Sequence, residues 1–287
     1  MYINAHDFTR GAALLRAQQP LTESQIMSAA PSVFASSAHE SRSDRYAYIP
    51  TADILRGLAK EGFDVYSAKQ SRARSDGKAG HTKHMLRLRH RSMQARVVGD
   101  SAPEIVLVNS HDGSSSYQMM GGMYRLACSN GLVVPDSICA SVRVSHTGKV
   151  LDRVTDGAFE VLDGLTRVIE NRDEMRAIAL TGEEQAAFAN AAAILRFDSD
   201  DGEPPPVTAA QLNRARRADD AAGDLWSAMN RVQENAIKGG LRGMTRDANG
   251  RTKTRRTREV TGIDQDVRLN RAIWALAEQM RAIKASH

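Results

Sequence analysis

The sequence predicts an α+β protein: a small antiparallel sheet with packed helices, followed by an α-helical C-terminal region. Three observations predict it. Runs of alternating or continuous apolar character recur between residues 63 and 146, the pattern of strands. From Leu151 onward the apolar spacing becomes helical, with Phe159, Leu162, Leu165, Val168 and Ile169 on one face. Between the later helices stands DSDDGEPPPVT, residues 198–208, in which acid, glycine and three prolines mark a linker. The predicted organisation is therefore an α+β core at 1–150, a helical extension at 151–197, the linker at 198–208 and a helical hairpin with a basic loop at 209–287.

The first helix opens after Leu21, with Thr22 as its N-cap and Pro31 as its stop. SSAHESRSDR, residues 36–45, is polar and reads as a loop. After YAYIP, Thr51 caps a helix in which Ile54, Leu55 and Leu58 recur at helical spacing, and Gly62 ends it. Residues 63–74 and 82–91 form the two arms of a hairpin with a basic tip, and PEIVLVNS supplies a central strand buried on both faces. HDGSSSYQMMGGMYRLACSNGLVV reads as turn, N-cap serines, helix and an Asn130-Gly131 stop. ASVRVSH, 140–146, is the last strand. In the C-terminal region Leu225, Met229, Val232 and Ala236, then Leu269, Ile273, Leu276, Met280 and Ile283, step by three and four as in a paired helical hairpin.

With 287 residues, 41% hydrophobic and 25% charged, the chain has the composition of a globular protein. Cys128 and Cys139 have no metal-ligand spacing and suit a reducing compartment. The start lacks signal-peptide order and no apolar run reaches bilayer length, so the expected location is cytoplasmic, away from any membrane. The net charge of +5 is modest, but its distribution is uneven. Lys69 to Arg96 holds nine cations against Asp76, and Gly239 to Arg258 holds seven against Asp247. Localised positive charge attracts a polyanion. A solvated face is the plainer explanation of any one such run, and for the second cluster the two readings are evenly matched. On a strand, Lys83, Arg87, Arg89 and Arg91 share a side, where they repel unless an anion neutralises them. The candidate nucleic-acid contacts are thus Arg72, Arg74, Lys83, Arg87, Arg89 and Arg91, together with Arg251, Lys253, Arg255 and Arg256.

Aromatic residues make up 5% of the chain and few fall among these cations, so contacts to phosphate rather than base stacking are expected. Gly113, Ser114 and Ser115, at the start of the helix expected there, offer a weaker phosphate site. Ser110, His111 and Asp112 tempt a catalytic reading, but neighbours on one turn do not converge as a triad does. His81, His84 and His90 lack metal-ligand company. No nucleotide-binding loop is present. Neither a covalent step nor a cofactor nor a metal is expected.

Eight segments, among them SRSDRYAYIPTADIL (41–55), EGFDVYSAKQSRAR (61–74), TKHMLRLRH (82–90), EIVLVNSHDGSSSYQMMGGMYRLACSNGLVV (104–134) and TREVTGIDQDVRLNRAIWALAEQM (257–280), resemble the plasmid- and phage-borne domain-of-unknown-function family 932. That resemblance implies a mobile-element setting. The stretch from Tyr46 to Pro50, the helix to Leu58 and the Gly-Phe entering a basic hairpin also resemble the core of single-strand annealing proteins, the eukaryotic Rad-type and phage Erf and Sak proteins. This second resemblance implies oligomeric rings or filaments and a basic groove that holds single-stranded DNA by its backbone without ATP. It places the groove at Lys83, Arg87, Arg89 and Arg91, with Arg72 and Arg74 opposite. The expected function is strand annealing or recombination of mobile-element DNA. An anti-restriction or anti-defence protein that binds a host protein is the alternative.

Overall fold

The computed structural model describes residues 14–40, 48–73, 80–96, 101–125, 130–147, 149–197, 204–246 and 251–286. The chain divides into two units, residues 1–168 with 261–263 and residues 169–260 with 264–287. The expected linker at 198–208 is not where they part: the division falls inside a long helix, and residues 204–208 belong to the second unit. Val207 there is buried and Thr208 caps the next helix.

The first unit is built on a seven-stranded antiparallel sheet. Its strands are β1 (Leu14–Arg16), β2 (Phe63–Gln70), β3 (His84–His90), β4 (Ser101–Asn109), β5 (Tyr117–Arg125), β6 (Asn130–Val133) and β7 (Val142–Val144). They neighbour one another in sequence order from β1 to β6, and β7 pairs with β5 beside β6. The outer edge of β5 is thus shared, with Tyr117–Met119 bonded to β7 and Gly122–Arg125 to β6. The expected hairpin is β2–β3, and the expected central strand is β4, whose nine residues are all buried. The helix expected after the HDGSSS turn is absent. Its residues form β5 and β6, because two adjacent glycines disfavour a helix while a strand inside the sheet can bury both faces.

Three helices line this unit: α1 (Glu23–Ala29), α2 (Thr51–Lys60) and the first part of α3 (Val150–Ala177). Thr22 caps α1 as expected, and Gln25 completes a reciprocal capping box. Gly62 ends the chain segment after α2 at φ 94°, where only glycine is unstrained. Pro50, not Thr51, is the N-cap of α2. The hydroxyl of Thr51 is turned to another task, described below. Cross-strand partners share a face, so Leu86, Leu107 and Met119 lie together. A Cβ on Gly157 of α3 would meet Met119 at 2.6 Å, which identifies this as the helix-covered face.

The opposite face carries Arg87, Val106 and Met120. There Arg87 Nη2 donates to Gly131 O of β6 at 3.0 Å. Two strands separate β3 from β6, which in a flat sheet would hold them about 14 Å apart. The sheet therefore curls, and this face is the inside of the curl.

In the second unit lie the rest of α3, α4 (Gly182–Phe197), the short α5 (Ala209–Leu212), α6 (Leu225–Lys238) and α7 (Ile263–Ala285). The Trp226 and Trp274 rings meet edge to face at 5.7 Å, and Gln233 Nε2 donates to Asn270 Oδ1 at 2.6 Å. These contacts join α6 to α7 through residues outside the predicted seam. The seam differs. From Leu225 to Ile237 every residue of α6 except Ser227 is buried, whereas Ile283 at the end of the α7 pattern is 53% exposed. Between α6 and α7 stands a two-stranded ribbon, β8 (Arg242–Arg246) and β9 (Thr252–Arg256), where only a loop was expected.

Candidate nucleic-acid interface

Parity correctly groups Arg87 and Arg89 on one side of β3, but that side is not open to solvent. Arg87 is 1% and Arg89 8% exposed. Both bind Glu104 of β4: Arg89 Nε donates at 2.8 Å and Arg87 Nη1 at 3.4 Å. Arg87 also donates to Leu132 O at 3.2 Å. The expectation of a solvent-facing cation track on β3 is corrected accordingly: a buried carboxylate takes both guanidiniums inward, because an unpaired buried charge is far costlier than a paired one. Arg91, just past the strand, is exposed but bound to Asp64 through Nε at 2.9 Å and Nη2 at 2.8 Å. Lys83 is half-buried and Arg72 exposed. Arg74 lies outside the described residues.

The weaker phosphate site also fails in its stated form, since no helix starts at residues 113–115. Asp112 Oδ1 accepts from Ser114 N at 2.9 Å, and Ser110 Oγ accepts from Ser115 N at 2.8 Å. Gly113 and Ser114 are exposed on this turn and Ser115 is buried. The donor of Ser114 and that of Ser115 are spent within the turn itself.

Beside it the sequence hid a polar core. Thr51 Oγ1 lies 3.0 Å from both His84 Nε2 and His111 Nε2 and accepts from Asn109 Nδ2 at 3.1 Å. His146 Nε2 donates to Asn109 Oδ1 at 2.9 Å. Burial, reinforced by the neighbouring imidazoles, pushes His84 down to about 3 and His111 to about 4, and burial lowers His146. All three are neutral at physiological pH. Among the described residues no group of three or more His, Cys, Asp or Glu side chains is placed to hold a metal ion.

The second basic cluster has the opposite character. All five residues of β9 are exposed, Lys253, Arg255 and Arg256 among them, and Arg251 precedes them in the open. Register places Lys253 and Arg255 on one face, opposite Thr245 and Gly243. On the other face Arg242 stands directly across from Arg256, a like-charged pair that disfavours the ribbon unless an anion lies against it. The outer edge of β8 is held by α5 and the chain before it, with Met244 N donating to Pro206 O at 2.8 Å and Gln211 Nε2 to Arg242 O at 2.8 Å. That anchoring leaves β9 as the outward strand.

A cleft of about 580 Å³ opens at the base of the ribbon, lined by Arg214, Arg216, Asn235, Gly239, Gly240 and Arg256. Arg216 is fixed there, donating through Nε to Asn235 Oδ1 at 2.7 Å and through Nη2 to Gly239 O at 2.9 Å. Arg214 and Arg216 were not singled out from sequence. The available signal was NRARR at 213–217, more than 20 residues before the Gly/Arg segment that begins at Gly239. Ribbon and cleft both lie in the second unit and meet at Arg256, which belongs to β9 and lines the cleft. Among the described residues no helix is long and apolar enough to cross a membrane.

The family described as a domain of unknown function, DUF932, matches residues 38–274. The chain belongs to the DUF932 family. Two Escherichia coli K12 proteins of similar sequence, UPF0380 protein YafZ and UPF0380 protein YfjQ, are each 48% identical to it over 271 residues, covering 94% of this chain and 95% of theirs. No solved structure matches it. The DUF932 match spans both units, so the sheet and the ribbon-bearing helical unit are parts of one family sequence.

Proposed function

We propose that this DUF932 protein binds single-stranded DNA by its backbone through the β8–β9 ribbon and the cleft at its base, and promotes annealing of complementary strands without ATP, as a recombination protein of a mobile element. The observation that carries the reading is the fully exposed β9 strand with Lys253, Arg255 and Arg256 on it. Contacts to phosphate fix a strand without reading it and leave base edges available for pairing. The scarcity of aromatic side chains in the ribbon argues for charge rather than stacking as the source of affinity.

If the surface neutralises about five phosphates, affinity for a single strand falls about 100-fold between 50 and 200 mM salt. A fluorescence-anisotropy titration at the two salt concentrations, run beside an annealing assay with complementary oligonucleotides and no nucleotide, tests this. Replacing Lys253, Arg255 and Arg256 together by alanine should weaken binding to all sequences alike and leave the circular dichroism spectrum unchanged, because all three lie on an exposed strand. Salt-independent binding, or normal binding by the triple variant, overturns the proposal.

A further inference from the structure

Inside the curl of the sheet, two guanidiniums share one carboxylate. Glu104 is 1% exposed and holds Arg87 and Arg89 together. Arg87 also donates to the Gly131 and Leu132 carbonyls, and its Nε, hemmed in by the strands, is buried without a hydrogen-bond partner. Arg89 has fewer resources. Its Nε donates to Glu104, the rings of Tyr66 and Tyr124 cover the guanidinium at 4.3 and 4.9 Å, and its side chain is 9% exposed. Its Nη2 is buried with no hydrogen-bond partner. Ring faces attract a cation but accept no conventional hydrogen bond in its plane and carry no net charge. The Arg87–Arg89–Glu104 cluster therefore retains one positive charge, in a setting where unbalanced charge is expensive.

Arg89 also forms a wall of a cleft of about 200 Å³, with Gln18, Gln19, Tyr66, Met93, Ala102 and Pro103 as the other walls. Gln18 and Gln19 are exposed and bring amide donors to its mouth. We propose that this cleft binds a single oxyanion group, a phosphate or a carboxylate, on the Nη edge of Arg89 with the Gln18 and Gln19 amides closing over it. The two aromatic faces restrict approach to the guanidinium plane, the direction in which oxyanions bind arginine best. Glu104 holds the Nε side, so the site takes one anion and not a chain of them. This site lies in the first unit and does not depend on the ribbon.

Isothermal titration of the full chain with inorganic phosphate, and separately with acetate, tests the proposal and tells the two chemistries apart. Saturable one-site binding of at least one of them is expected. Arg89→Met should weaken it about tenfold or more, the loss of a charge-assisted bond. Arg143→Met, which removes an exposed cation elsewhere on the sheet, should leave it unchanged. Gln18→Glu with Gln19→Glu sets two negative charges at the mouth without touching the buried cluster, and should also abolish binding. Should Arg89→Met fail to fold by circular dichroism, the glutamine pair decides. Absence of saturation with both titrants, or wild-type affinity in folded Arg89→Met or in the folded glutamine-pair variant, overturns the site.

Discussion

Removing the Glu104 carboxylate would leave Arg87 and Arg89 buried with no counter-charge, since no other carboxylate bonds to either among the described residues. Glu104→Ala is expected to cost about 3–5 kcal/mol of stability, the range for breaking a buried ion pair from one side. Urea denaturation measures it, and a loss below about 1 kcal/mol would mean that the carbonyl and ring contacts suffice without the carboxylate. This residue also marks the limit of what the strand pattern could say. Alternation places Arg87 and Arg89 on a common side, and they are on one. Alternation is silent on which side is wet. The signal that could have settled it was Glu104 itself, a lone acid inside the apolar run PEIVLVN, where a buried charge demands a partner. On β9 the same parity reasoning meets no acid within either strand of the ribbon, and there the strand is exposed.

Helix α3 lies close to the sheet because it presents glycines to it. A Cβ on Gly157 would stand 2.6 Å from Met119 Cε and 2.7 Å from Val142 Cγ1, and one on Gly164 would stand 2.7 Å from Cys139 Sγ. Alanine gains up to about 1 kcal/mol over glycine in a helix interior, but overpacking costs about 1–3 kcal/mol. Gly157→Ala should therefore destabilise on balance, while Gly182→Ala, with nothing within 4 Å of its Cβ at the start of α4, should be neutral or stabilising. Thermal melts of the two variants check the contrast, and equal melting temperatures would place α3 farther from the sheet than described. Sequence legibility divides along the same line. Amphipathic α2 and the hairpin β2–β3, whose tip residues lie outside the described ones, could be read because one periodicity dominates each. The run YQMMGGMYR could not, because β5 is buried on both faces and carries no alternation to distinguish it from a buried helix. Gly121 and Gly122 were the available clue. The first would put a Cβ 2.8 Å from Cys139 Sγ and the second 2.9 Å from Leu132 O, so these glycines mark close packing of the strand.

Across the whole molecule the buried histidines among the described residues are confined to one unit. Every histidine except His287 precedes residue 169, and both tryptophans, Trp226 and Trp274, follow it. In the unfolded chain His84, His111 and His146 protonate near pH 6.5. In the fold, burial holds His84 neutral down to about 3 and His111 down to about 4, and lowers His146. Above 6.5 neither state takes up protons at these sites and their contribution to stability is intact. As pH falls below 6.5 the unfolded chain binds protons that the native imidazoles refuse, and stability drops by about 1.4 kcal/mol per pH unit for each histidine involved. The loss continues until the native pKa values are reached. Urea midpoints followed by far-ultraviolet circular dichroism should therefore fall between about pH 7.5 and pH 5. Tryptophan emission reports the Trp226–Trp274 contact in the unit whose only histidine is terminal, and supplies the internal comparison. A dichroism midpoint that does not move over that interval would show that the native imidazoles take up protons as readily as the unfolded ones, and the Thr51-centred hydrogen-bond arrangement would have to be redrawn with rings open to protonation.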